Sequence, residues 1–184
     1  MSSVSATTDV SSETASGSER TGFAAKPLLF DLGGIDLNAR LLSKPDLERW
    51  NPHRGAMALL DHVVWRTPDF TRGVGLKLVK DDEFWVPGHF PDKALMPGVL
   101  MIETGAQLAS YLYNSRFTKP KLPVFIRIEE ASFRSPVVPG DELFILCRDL
   151  KFAAKRFISD IQGIVNGKIA FEARITGMAA IRTS

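Results

Sequence analysis

A chain of 184 residues with 45% apolar and 24% charged side chains can fill one core of ordinary size, which excludes the disordered and fibrous classes for most of its length. A net charge of +2, dispersed along the sequence, is no nucleic-acid footprint, and no run approaches about 18 uninterrupted apolar residues, so neither nucleic acid nor a membrane is an expected partner. Cys147 is the single cysteine, which rules out an intramolecular disulfide framework or a cysteine-based zinc site and fits a reducing, cytoplasmic setting.

Residues 1 to about 25 are dominated by Ser, Thr, Ala and Gly without helix or strand period, and are expected to form a disordered tail. Asp9, Glu13 and Glu19 outnumber Arg20, which counts against a transit peptide. Residues 26–184 read as one domain, including an N-terminal extension to about 44. Within the extension, Pro27-Leu28-Leu29-Phe30 predicts a short strand, and Lys44 to Trp50 predicts one or two helical turns ending before Pro52. Strands are predicted at 61–68 and 73–80, the second alternating Val74, Leu76 and Leu78 with Gly75, Lys77 and Val79.

A loop from Gly88 to Pro97 precedes the longest helical candidate, Gly98 to about Arg116, which would run roughly 27 Å. Apolar residues wrap most of its circumference. Glu103, Gln107, Ser110 and Asn114 fall on one narrow stripe, which predicts a buried helix with a single polar seam. Further strands are predicted at 124–134, 141–150, 155–165 and 168–181, the last two flanking Asn166-Gly167, whose residues both tolerate the positive φ of a tight hairpin turn. The expected architecture is α+β, with one long helix inside five or six antiparallel strands.

Of the three histidines, His53 and His62 have no motif of their own that demands catalysis and are assigned to structure. No histidine pair has helical ligand spacing, no carboxylate cluster is arranged for a metal, and there is no Gly-x-Ser-x-Gly elbow or phosphate loop, so neither metal nor cofactor is expected.

His89 stands in a longer pattern. The run Gly88-His89-Phe90-Pro91-Asp92-Lys93-Ala94-Leu95-Met96-Pro97-Gly98-Val99-Leu100-Met101-Ile102-Glu103 resembles the active-site segment of the bacterial (3R)-hydroxyacyl-acyl-carrier-protein dehydratases. Ala106-Gln107 extends the match into the helix. Phe133-Arg134-Ser135-Pro136-Val137-Val138-Pro139-Gly140-Asp141 is similar to the family's second strand-turn motif, and Pro52-His53-Arg54 with Leu59-Leu60-Asp61 resembles its N-terminal signature. The match spans about 45 to 180. It departs at Asp92 and Ala94 in the loop, at Ser132, and in the length of residues 1–44.

The resemblance implies a hot-dog fold, in which an antiparallel sheet wraps a long central helix. It also implies dehydration of a 3-hydroxyacyl thioester on acyl carrier protein, in fatty-acid or related lipid synthesis. That reaction needs a base for the C2 proton, stabilisation of charge on the thioester oxygen, and an acid for the departing C3 hydroxyl. His89 is the candidate base and Glu103, on a mostly apolar helix, the candidate acid. The first free N–H groups of the helix, that of Gly98 above all, are the candidate oxyanion donors, and Gly98 has no side chain to block approach. By resemblance, the Leu95 carbonyl orients the imidazole; Gln107 and Phe90 are the candidate substrate-binding residues, Phe90 as a core or structural residue that also lines the acyl tunnel. Each site would take its His and Glu from opposite subunits of a homodimer or higher dimer-based oligomer. Phe133 and Arg134 are expected to be core or structural residues. Two rival functions keep the same fold: acyl-thioester hydrolysis, and noncatalytic acyl-thioester binding as a scaffold.

Overall fold

The computed structural model describes residues 27–180. The expected tail, and residue 181 at the end of the last expected strand, lie outside the described residues. The elements in chain order are β1 (Leu42–Ser43), α1 (Lys44–Leu47), a 3-10 turn (Gly55–Met57), β2 (His62–Arg66), β3 (Arg72–Leu78), α2 (Gly98–Asn114), β4 (Leu122–Phe133), β5 (Glu142–Ala153), β6 (Arg156–Val165) and β7 (Lys168–Ala180). The strands form one antiparallel sheet in the order β1-β2-β3-β5-β6-β7-β4. Among the described residues, no helix is long and apolar enough to cross a membrane.

The period-2 alternation of the strands sorts side chains to the two faces of the sheet. Leu143, Ile145 and Cys147 of β5 join Ile161, Phe171 and Ile175 against Met101, Ile102, Leu108 and Leu112 of α2 in the main core. Burial pushes the Cys147 thiol up to about 12, so it is inert at neutral pH. The β6–β7 hairpin turns at Asn166 and Gly167 with φ of 51° and 74°, as their sequence predicts.

The opposite face has its own core. Val64, Val74 and Leu76 are covered by Phe30, Leu32, Ile35 and Leu37 of the N-terminal extension. Pro27–Phe30 is not the expected strand: β6, the strand it crosses, already has β5 and β7 as neighbours and offers no free edge. Side chains hold the segment instead. The Leu29 N–H donates to Gln162 Oε1 (3.1 Å), Gln162 Nε2 donates to the Pro27 carbonyl (3.3 Å), and Arg148 Nη1 donates to the Leu29 carbonyl (3.1 Å).

Two other differences lie nearby. The two-residue β1 escaped the sequence pattern, because its pairing with Val63 and His62 of β2 supplies the whole signal. The α-helical part of the predicted turn at 44–50 stops at Leu47, although Trp50 and Asn51 still donate their N–H groups back to the Leu47 carbonyl.

Candidate active site

The loop before α2 is held by its own backbone. The Trp85 carbonyl accepts the N–H groups of Gly88 (3.1 Å) and His89 (2.9 Å), Leu95 N–H returns to the His89 carbonyl (2.9 Å), and Met96 N–H reaches the Val137 carbonyl (2.8 Å). This brings His89 Nδ1 to 2.8 Å from the Leu95 carbonyl oxygen. A carbonyl only accepts, so Nδ1 carries the hydrogen. In the neutral ring Nε2 is then an unprotonated acceptor, and it has no partner among the described residues. The Phe90 ring stacks on the imidazole at 4.2 Å and is 53% exposed.

His89 lines an open groove of about 470 Å³ between the loop, the start of α2 and the Phe133–Val137 segment. At the helix start, the Pro97 carbonyl takes the N–H groups of Leu100 (2.9 Å) and Met101 (3.1 Å). Those of Gly98 and Val99 find no acceptor among the described residues, and the helix dipole adds positive potential there. A β-carbon at Gly98 would lie 2.5 Å from the Phe133 ring, so it is the absence of a side chain that lets this ring close on the helix start. Phe133 departs from the expected core role: it is 51% exposed and forms a wall of the groove. Arg134 keeps a structural one, donating from Nε to Glu172 Oε1 at 3.0 Å.

Glu103 sits elsewhere. Its Oε1 lies 2.9 Å from Gln107 Nε2 and 3.1 Å from His53 Nε2. Gln107, expected to touch substrate, is 2% exposed. Its Oε1 accepts the N–H groups of Leu59 (2.9 Å) and Leu60 (3.1 Å), and its Nε2 also donates to the Met57 carbonyl (2.7 Å), so its hydrogen-bonding positions are filled by protein groups. The rest of the seam is clamped to the same segment: Ser110 Oγ donates to Asn51 Oδ1 (2.8 Å), and Asn114 Nδ2 to the Trp50 carbonyl (2.9 Å). From Gln107 onward the polar seam therefore faces residues 50–60 and not solvent, while Glu103 is only partly covered. His53, which the sequence assigns to structure, is the residue it brings unannounced to Glu103. The available signal was its place in the Pro52-His53-Arg54 signature, not any spacing.

Within one chain no hydrogen bond joins His89 and Glu103. Five residues after Gly98, Glu103 lies about 140° around the helix from it and about 7.5 Å along the axis. The first turns of α2 are also incompletely covered, with Val99 at 68% exposure and Leu100, Glu103 and Ala106 only half-buried. Strand β4 ends the sheet without a neighbour on its outer side among the described residues, and carries Val124, Ile126 and Ile128 at 41 to 47% exposure.

Comparison with known proteins places this geometry among hot-dog folds. Residues 51–174 match the model of the FabA-like domain. One similar structure is the dehydratase heterocomplex ApeI:P from Xenorhabdus doucetiae, at 19% identity and TM-score 0.65, over 74% of this chain and 92% of that one. Another is a putative thioesterase related to phenylacetic acid degradation from Ralstonia eutropha, at 13% identity and TM-score 0.53, over 64% and 83%. A third is smu.793 from Streptococcus mutans, bound to acetyl CoA, at 12% identity and TM-score 0.50, over 64% and 86%. At such identities these structures speak for the α+β hot-dog fold, a long helix wrapped by an antiparallel sheet.

Proposed function

The chain belongs to the FabA-like domain family, and on that premise we propose that it dehydrates (3R)-hydroxyacyl thioesters carried on acyl carrier protein to trans-2-enoyl thioesters, in fatty-acid or related lipid synthesis. The family and the hot-dog fold support acyl-thioester chemistry of dehydratase or thioesterase type. The observation that most supports dehydration is the His89 imidazole, oriented by the Leu95 carbonyl with Nε2 bare, in a groove that begins at two helix N–H groups without an acceptor among the described residues.

In the proposed reaction, His89 Nε2 takes the proton from C2. Negative charge growing on the thioester oxygen meets the N–H groups of Gly98 and Val99. Glu103 gives its proton to the C3 hydroxyl as the C3–O bond breaks, and water leaves. Return of the proton from the imidazolium to the carboxylate, directly or through water, restores both groups.

Each site takes its Glu103 from the partner subunit in this proposal. Three features support it: the separation of the two groups within one chain, the half-covered stripe around Glu103, and the long apolar edge of β4. Such an edge is a template for pairing with another strand, and a second copy of the chain would cover it. Phe90 and Phe133 then border the acyl chain, and the enzyme acts as a homodimer or a larger dimer-based assembly, cytoplasmic and without a cofactor.

The deciding experiment is incubation with 3-hydroxyacyl thioesters of several chain lengths, on acyl carrier protein and on coenzyme A, followed by mass analysis. Loss of water from the carrier-protein thioester is the expected result. Release of free acid would establish a thioesterase instead, and an unchanged, bound thioester would establish a noncatalytic scaffold.

A further inference from the structure

We propose that His53 is the positioning residue of Glu103, and that it fixes which carboxyl oxygen carries the transferable proton. The inference rests on Glu103 being the acid of the proposed dehydration.

Both nitrogen neighbours of the carboxyl group converge on one oxygen, Oε1: Gln107 Nε2 at 2.9 Å and His53 Nε2 at 3.1 Å. The Gln107 amide cannot be turned round, because its oxygen already accepts the N–H groups of Leu59 and Leu60. It therefore presents an N–H to Glu103. The state of His53 follows from its other nitrogen. Nδ1 is buried with no hydrogen-bond partner among the described residues. An imidazolium, or the neutral tautomer with hydrogen on Nδ1, would seal an N–H away with nothing to accept it, a heavier cost than a bare lone pair. Because Nδ1 is closed off within one chain, a second subunit cannot supply the acceptor. The hydrogen belongs on Nε2, pointing at Oε1.

Glu103 Oε1 thus accepts twice, and Oε2, which has no partner among the described residues, carries the proton. When that proton leaves, the new carboxylate finds two N–H donors in place, and hydrogen bonds to an ionised acceptor are roughly twice as strong as those to a neutral one. The pair binds the group more tightly after transfer than before, which is the condition for lowering a barrier.

The imidazole rides on the same support as the carboxyl group. Arg54 Nη1 donates to the His53 carbonyl (2.7 Å) and to the Asn51 carbonyl (2.8 Å), while Asn51 Nδ2 donates to the Gln107 carbonyl (2.8 Å). Asn51 Oδ1 also accepts from Ser110 on the helix.

The test combines imidazole nitrogen NMR with kinetics on the full chain. The spectra should assign His53 as the neutral Nε2–H tautomer, with its Nε2 signal shifted by Glu103→Gln. His53→Phe should lower kcat about tenfold to a hundredfold, with KM held within about twofold, as expected for a misplaced reacting group. His53→Gln, whose amide N–H can reach the same oxygen, should recover most of that loss. Wild-type kcat in His53→Phe, no recovery in His53→Gln, or an Nδ1–H or imidazolium spectrum would each overturn the proposal. Failure of the dehydratase assignment looks different: the unaltered protein removes no water from 3-hydroxyacyl thioesters, leaving them intact or releasing free acid, or Glu103→Gln turns over at the wild-type rate. The tautomer and its response to Glu103→Gln still report on the pairing in that case.

Discussion

The Phe133 ring stands 2.5 Å from the point where a β-carbon on Gly98 would lie, so the first residue of α2 and the last of β4 are packed ring against backbone. Gly98→Ala should destabilise the fold by about 1–3 kcal/mol through overpacking. Phe133→Leu should relieve that clash, so the double variant is expected to be more stable than the sum of the single effects, as read from denaturant unfolding in a double-mutant cycle. Strict additivity would mean that the ring moves aside freely and walls nothing.

Gln107 supports the site from below. Gln107→Leu leaves the buried N–H groups of Leu59 and Leu60 unanswered and removes the bond to the more exposed Met57 carbonyl, at a cost on the order of 3 kcal/mol. A fall in melting temperature together with a fall in kcat is expected. A raised KM at unchanged melting temperature would instead make Gln107 a substrate contact, as the sequence resemblance placed it.

The extension earns its place by covering the outer sheet face. Leu32→Ser with Ile35→Ser should expose Val64, Val74 and Leu76 and cost on the order of 3–5 kcal/mol, lowering the melting temperature by roughly 10 °C. Removal of residues 2–22, which lack apolar periodicity in the sequence, should leave both melting temperature and activity unchanged. Equal effects from the two changes would contradict this division.

What the sequence disclosed follows the range of the interactions involved. The helix at Gly98–Asn114 and the turn at Asn166-Gly167 are specified by residues within a few positions of one another, and both stand where they were expected. The imidazole-carbonyl pair of His89 and Leu95 spans six residues and could be named from a motif. The strap at Pro27–Leu29 is held by Gln162 and Arg148, and Glu103 by His53 across fifty positions, pairings that leave no periodic trace. The groove wall at Phe133 was hidden for another reason: an aromatic residue at a strand end reads as core until the helix it meets is in place.

The central claim is that one working site draws His89 and Glu103 from two chains. His89→Ala and Glu103→Gln should each lose about 10² to 10⁴ in rate while remaining folded. Mixing the two inactive proteins under conditions of verified subunit exchange is the direct test. In a twofold dimer, random exchange makes half the dimers mixed, and each mixed dimer regains one intact site, so about a quarter of the wild-type activity should return. Exchange to mixed dimers with no return of dehydratase activity would contradict the two-chain site.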